Sequence, residues 1–386
     1  MTPRILLYVQ HLLGIGHLRR AAAIARGLAD GGFEVAFVSG GEAVPSLDIG
    51  GARLVQLPAI RSGDSGFSTL VDESGGAVTD DLWRARQAML LAELDRFAPD
   101  VLLIEMFPFG RRQFRRELIP LLEAAQRRRP RPLVACSVRD ILVQKTSKPE
   151  RTQEMLDLLA RAYDLVLVHG DPAIADFALT FPDAPAIAGK IRYTGFVVGD
   201  LPPRLPESQR QDFVLVSAGG GAVGAPLLNA ALAARPLTRV KHVPWHVVTG
   251  PNLAESDFMA LQGSAGGKLR IERFRTDFPQ LLATCGVSVS QAGYNTLMEI
   301  FAVGARAVVV PFADGQESEQ PLRARLLAER GLVQAVAPQD LTAERLAVAI
   351  DAAAAMPAPP AGIFNLTGAT TTAEILHQAL RQRRAA

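Results

Sequence analysis

Cysteine is almost absent: Cys136 and Cys285 are the only two in 386 residues, and each stands in or beside an apolar run. Both read as small core residues in a reducing compartment, not as a disulfide or a metal pair. An excess of one charge is lacking as well, since 41 basic and 39 acidic side chains leave a formal net charge of +2. A near-neutral chain gives no electrostatic ground for a nucleic-acid partner. No apolar stretch approaches the roughly 20 residues of a membrane helix, and no repeat recurs at a solenoid period. The opening MTPRILLYVQHLLGIG imitates a signal peptide, but Gln10 and His11 interrupt it and no small-residue cleavage site follows. A first core strand explains it, and the expectation is a cytoplasmic protein.

What is present is globular, with 48% hydrophobic and 21% charged residues. The length suggests two domains, each with its own core. DLPPRLPESQR, starting at Asp200, is dense in proline and polar residues. It divides the chain into a domain over 1–199, a linker over 200–211, a second domain over 212–365 and a closing helix over 366–386. Strands are expected over Ile5–Val9, Glu34–Ser39, Arg53–Leu57, Val101–Ile104, Leu133–Cys136 and Leu165–Val168, with helices over His17–Ala29 and Leu82–Phe97. Strands over Phe213–Ser217, Trp245–Val248, Arg270–Glu272 and Val333–Val336 follow, then an amphipathic helix over Thr370–Arg383. This alternation predicts an α/β protein with two parallel sheets. Ser62–Gly76 reads as a long flexible loop. Glu105, Ser137, Arg139, Asp140, His169 and Asp171 fall just past strand ends, at the edge where open α/β sheets bind ligands.

The most legible stretch is Val287–Phe312, VSVSQAGYNTLMEIFAVGARAVVVPF. It reads as a buried strand, a tight loop at Gln291–Gly293, a helix closed by Gly304, and a second strand over Ala307–Val310. The helix start near Asn295 suits a phosphate, through unpaired N–H groups and the positive end of the dipole. Glu299, the one acid from Tyr294 to Ala305, is either a ribose-diol acceptor or a solvated helix glutamate. Ser290, Gly293, Thr296, Glu299, Ile300, Gly304, Pro311 and Phe312, followed by Asp314, Gln316, Glu317, Glu319 and Gln320, resemble the donor signature of GT-B glycosyltransferases of the MurG-like, family 28 group. That resemblance implies two Rossmann-like parallel-sheet domains facing a cleft, with a C-terminal helix returning to the first domain. It also implies a diphosphate at Gly293, Asn295 and Thr296, a ribose at Glu299, and the donor sugar at Gln316 and Gln320. The several acids of the loop depart from the usual pattern and leave the sugar open.

Two glycine loops extend the likeness. Gly219–Gly224 satisfies GxGxxG after a strand, but the next strand ends at Thr249–Gly250 without an acid for a nicotinamide ribose. The run is either a tight turn or an anion nest, and the resemblance places the donor diphosphate on Ser217, Gly219 and Gly220. Gly14-Ile15-Gly16-His17 is similar to the family's first glycine loop, which puts Gly16 at the donor and His17 at the cleft. At a helix start the dipole keeps an imidazole neutral, as a general base must be. The plainer reading is a histidine bonded to a loop carbonyl. Glu105 and Asp140 are substitutes for the base. Phe274 and Arg275 are placed at the nucleobase, taken as uracil. The chain has no Asp-x-Asp pair to hold a cation beside a diphosphate. The expected chemistry is therefore metal-independent, inverting transfer from a nucleotide sugar to an unidentified hydroxyl acceptor, with no cofactor. The competing readings are a nucleotide-sugar epimerase and a non-catalytic nucleotide-sugar-binding protein. Pro108–Arg116 mixes two phenylalanines with four arginines. It is either a peripheral contact with the inner face of a membrane or a solvated helix face with its rings turned inward.

Overall fold

The computed structural model describes residues 2–12, 14–45, 47–64, 69–143, 149–221, 223–313 and 317–385. The chain forms two compact units, one of Met1–Gly199 with Asn365–Ala386 and one of Asp200–Phe364. The first runs β1 (Arg4–Val9), α1 (Gly16–Asp30), β2 (Glu34–Ser39), β3 (Arg53–Gln56), β4 (Ile60–Ser62), β5 (Leu70–Asp72), α2 (Asp80–Phe97), β6 (Val101–Glu105), α3 (Arg115–Arg127), β7 (Leu133–Arg139), α4 (Pro149–Ala162), β8 (Leu165–His169) and β9 (Ile191–Tyr193). The second runs β10 (Val214–Ser217), α5 (Ala225–Ala234), β11 (Trp245–Val248), α6 (Glu255–Gln262), β12 (Leu269–Glu272), α7 (Phe278–Thr284), β13 (Val287–Ser290), α8 (Tyr294–Val303), β14 (Ala307–Val309), α9 (Glu319–Glu329), β15 (Gln334–Ala335) and α10 (Ala343–Ala355). The closing helix α11 (Gly368–Ala385) belongs to the first unit.

Both main sheets are wholly parallel, in the orders β3-β2-β1-β6-β7-β8-β9 and β12-β11-β10-β13-β14-β15. In each, the first strand lies between the second and one from after the chain reverses direction. Each therefore has a switch point at its carboxyl edge, β1/β6 in one and β10/β13 in the other. The alternation of β1 explains why the first sheet is covered on both faces. Leu6 and Tyr8 pack with Leu94, Leu118 and Leu158 of α2–α4, whereas Ile5 and Leu7 pack with Ile24 of α1 and Leu376 of α11. The α1–α11 contact is close because small residues meet there: a Cβ on Gly27 would lie 2.8 Å from Ala369. In the second unit Val214 and Val216 of β10 pack with Leu228 of α5 and Ile350 of α10.

Helix ends follow local chemistry. Thr79 caps α2 by accepting from Leu82 N at 3.2 Å. Gly304 ends α8 at φ 71°, a left-handed turn that a Cβ would strain, as the sequence predicts for a C-cap. Two features differ from expectation. The stretch read as a long flexible loop contains β5, which pairs antiparallel with β4 at its start, Arg61 opposite Val71. A three-residue strand, β9, also extends the first sheet beyond β8. Both cysteines are buried and free. The proline-rich stretch is tied into the second unit, where Arg210 donates to Val303 O at 2.6 Å. Among the described residues no helix is long and apolar enough to cross a membrane.

Candidate functional site

At the first switch point, a residue in the first turn of α1 meets the residue that ends β6. His17 Nδ1 lies 2.8 Å from Glu105 Oε1, and Arg139 Nη2 from the end of β7 lies 2.7 Å from His17 Nε2. A guanidinium can only donate, so Nε2 carries the lone pair and Nδ1 carries the proton that it donates to Glu105. Arg20, one turn along α1, donates to the same carboxylate oxygen and reaches His17 Nδ1 at 3.3 Å. Glu105 is only 1% exposed and Arg20 2%, while the His17 side chain keeps 16% of its surface open.

The electrostatics follow from this packing. Burial pushes His17 down to about 3, with Glu105 opposing and Arg139 and Arg111 adding to the shift, so the ring is neutral near pH 7. Burial pushes the Glu105 carboxyl up, but His17, Arg20 and Arg111 together hold it at about 2. Because the imidazole is itself uncharged at neutral pH, the lowering that matters there comes from the two guanidinium groups and from the hydrogen bond that Nδ1–H donates.

The loop that carries His17 is braced from beneath. Arg86 and Glu117, both fully buried, pair through two hydrogen bonds of 2.8 and 2.7 Å. Arg86 also donates to Gln10 Oε1 at 2.8 Å, and Tyr8 OH donates to Glu117 at 2.6 Å. Gln10 follows β1 directly, and its carbonyl oxygen accepts from Arg111 Nε at 2.7 Å.

The other polar residues at this edge have different positions. His169 is fully buried, with its two nitrogens 2.8 Å from Ser137 Oγ and Thr194 Oγ1, and burial pushes it down to about 3. It ties strands together and faces no open space. Asp140 is buried against Gly170, where a Cβ would come within 2.3 Å of its own Cβ. Asp171 accepts from Ala173 N at 2.9 Å in the following turn. In the Pro108–Arg116 segment Phe114 is buried and Phe109 packs edge-on against Phe177 and Phe181, while Arg112 and Arg115 pair with Glu154 and Arg116 with Asp80.

In the second unit Ser217 of β10 sits in register with Ser290 of β13, so the loops before α5 and α8 lie side by side. Gln291 Nε2 donates to Val223 O at 3.3 Å across them. Gly219 and Gly220 are exposed at the crest, and a Cβ on Gly219 would point into open space. Beneath them the turn after β11 packs backbone to backbone. At Gly250, φ is 87° and a Cβ would fall 2.4 Å from Gly219 O, so only glycine fits. Gly293, in the N-cap position, has no side chain to cover the start of α8. Asn295 and Thr296 lie in its first turn, and Glu299, half-buried, stands one turn below. Two short helices thus start together at one edge, with bare backbone above them, an arrangement that can bind an anion.

Around this edge the remaining candidates separate. Phe274 is 62% exposed. Arg275 is held by Asp277 through two bonds of 2.7 Å and by Glu272 at 2.9 Å, which raises its pKa. Gln316 lies outside the described residues. Gln320 Oε1 accepts from Phe312 N at 3.0 Å. Of the acids that make this loop unusual, Asp314 lies outside the described residues, Glu317 accepts from Glu319 N at 2.8 Å, and Glu319 forms a buried 2.7 Å pair with Arg323, whose guanidinium lies over the Tyr294 ring.

Residues 214–361 match the glycosyltransferase family 28 C-terminal domain. The UDP-N-acetylglucosamine--N-acetylmuramyl-(pentapeptide) pyrophosphoryl-undecaprenol N-acetylglucosamine transferase of Solibacter usitatus is 28% identical over 174 residues, 43% of this chain and 47% of that protein. The protein of the same description from Paracidovorax citrulli is 37% identical over 133 residues, 33% of this chain and 36% of the relative. The matched part is therefore less than half the length of these relatives. Among solved structures, the calicheamicin glycosyltransferase CalG4 superposes with a TM-score of 0.61 at 16% identity, covering 100% of this chain and 98% of that one. The Acinetobacter baumannii MurG structure superposes with a TM-score of 0.57 at 15% identity, over 97% and 99% of the two chains. The chain has the GT-B fold of these structures, with two Rossmann-like sheets and a C-terminal helix packed on α1.

Proposed function

From the premise that residues 214–361 are a glycosyltransferase family 28 C-terminal domain, we propose that this protein moves a sugar from a nucleotide-diphosphate donor, a UDP-sugar in the first instance, to a hydroxyl acceptor. The donor's diphosphate rests on the amides of Gly219, Gly220 and the first turn of α8, and its ribose diol on Glu299. His17 Nε2 takes the acceptor's hydroxyl proton as that oxygen attacks the anomeric carbon. The bond to the diphosphate breaks with its electron pair leaving on the phosphate oxygen, so the configuration inverts. Glu105 holds the proton-bearing side of the ring and stabilises the imidazolium formed. It acts as the orienting carboxylate, not as the base. The backbone field at two helix starts supplies the charge stabilisation for which other transferases use a cation.

The observation that carries this reading is the 2.8 Å approach of His17 Nδ1 to a buried carboxylate, which leaves the lone pair of the neutral ring on Nε2. The test is incubation with a panel of nucleotide sugars, following nucleotide diphosphate release and thermal stabilisation together. His17→Gln is expected to abolish release and keep stabilisation, whereas Glu299→Ala is expected to lose stabilisation. UDP stabilisation without release in any acceptor pool would point instead to a binding protein. Abolition of turnover by chelator, with recovery on adding magnesium, would refute the metal-independent step.

A further inference from the structure

We propose that Arg139 is a specificity-determining residue: it occupies the proton-accepting nitrogen of His17 and yields it when an acceptor brings its own anionic group, a carboxylate or a phosphate near the hydroxyl. The inference rests on the reading of His17 as the base and adds which acceptors that base serves.

With Nδ1 given to Glu105, Nε2 is the sole nitrogen of His17 able to take a proton, and Arg139 Nη2 stands 2.7 Å from it. A lone pair that already accepts from a guanidinium is unavailable to a hydroxyl, and the adjacent positive charge further lowers its basicity. A neutral acceptor offers Arg139 nothing better than it has. A carboxylate or phosphate does, because it adds an opposite charge to the guanidinium's hydrogen bond and can accept it bidentately.

The surrounding charge favours such a group. The charged side chains with the largest effect on this ring are Glu105, Arg139 and Arg111, and Arg20 reaches Nδ1 at 3.3 Å. Glu105 is itself shared between His17 and Arg20. Arg111 is held in place by its backbone, a left-handed φ of 59°, and by its bond to Gln10 O. Asp140, next along from Arg139, is buried against Gly170. The edge therefore presents a positive field in which Nη2 of Arg139 meets a neutral ring nitrogen, a contact that it can exchange for an anion.

The test uses the full chain labelled with ¹⁵N-histidine, with the His17 resonances assigned by their loss in His17→Gln. Inorganic phosphate and acetate are titrated separately, with sodium chloride at matched ionic strength as control. The expected result is a saturable change of the His17 Nε2 resonance toward that of an imidazole nitrogen accepting no cationic donor, with either anion but not with chloride. The anion acting at lower concentration identifies the group on the acceptor. In Arg139→Met the resonance should start at the displaced position and ignore both anions. The proposal is overturned if neither anion moves Nε2 in the unmodified protein, or if chloride moves it equally. Turnover by His17→Gln bears only on the base assignment, so the two readings fail separately.

Discussion

Replacing Glu105 by glutamine keeps the shape beside His17 and removes the charge. Two observations bear on its effect on stability. Removing one partner of a buried pair leaves the other charge uncompensated, at about 3–5 kcal/mol, and Arg20 is only 2% exposed. The carboxyl is also held below its ordinary value, to about 2, which adds stability at neutral pH in the same direction. The loss is placed at about 3–5 kcal/mol. A depressed carboxyl stabilises fully above its unfolded value and ceases to do so as pH falls through its folded value. The deficit should therefore be complete at pH 7 and shrink toward nothing near pH 2. Glutamine also sets an amide donor where Glu105 Oε2 is buried without a hydrogen-bond partner among the described residues, which works in the same direction. Catalytically the imidazolium loses its counter-charge, and the fall in kcat should be about 10²–10⁴-fold, the whole worth of general-base assistance. Urea unfolding at several pH values and nucleotide diphosphate release are the assays. A variant that keeps kcat within about threefold, or whose deficit is the same at pH 3 and pH 7, would refute the dyad.

Other perturbations address the rest of the molecule. Gly250→Ala should cost about 2–4 kcal/mol through its positive φ and the 2.4 Å approach to Gly219 O, and should abolish stabilisation by UDP; a variant that binds UDP normally would show that the Gly219 loop is not the diphosphate cradle. Phe274→Ala should leave stability within about 0.5 kcal/mol, because the ring is 62% exposed, and should weaken nucleotide binding roughly tenfold if the ring stacks on the base. An unchanged dissociation constant removes that assignment. Burial lowers His11 to about 4 and both His17 and His169 to about 3, so the unfolded chain binds more protons as pH drops below about 6.5. Stability should fall with pH there, by up to about 4 kcal/mol per unit if all three respond, and an unfolding midpoint flat from pH 7.5 to about 5 would contradict their burial.

The order of elements was legible because apolar runs and glycine breaks recur at the right spacing, and β2 and β11 fall on the residues expected. Strand β9 was not, since Ile191–Tyr193 is three residues long and shows no alternation to read. The β4–β5 hairpin was hidden in a polar stretch whose strands are equally short. At the site, Glu105 and Arg139 stood at strand ends in the sequence and His17 at a helix start, but 88 residues separate His17 from Glu105. What joins them is strand order: the first and fourth core strands of a doubly wound sheet are neighbours, and applying that rule would have paired them. Arg20 carried a signal too, three residues from His17 on one helix face. Arg86 and Glu117 carried none, because their types suggest solvent and only the fold supplies each with its partner.

The path of the backbone between the two units has a practical consequence. The polypeptide leaves the first unit after Gly199 and re-enters it at Asn365, and Phe196 N donates to Asn365 O at 2.7 Å while Gly368 N donates to Phe196 O at 3.0 Å. The exit and the return are thus clasped together on one body, and the 200–364 segment is an insertion within a continuous host domain, not the second bead on a string. Excising it and splicing Gly199 to Asn365 through a short glycine bridge would rejoin the chain three residues beyond Phe196, which already bonds Asn365, yielding a minimal host in which the His17 environment can be studied apart from any nucleotide.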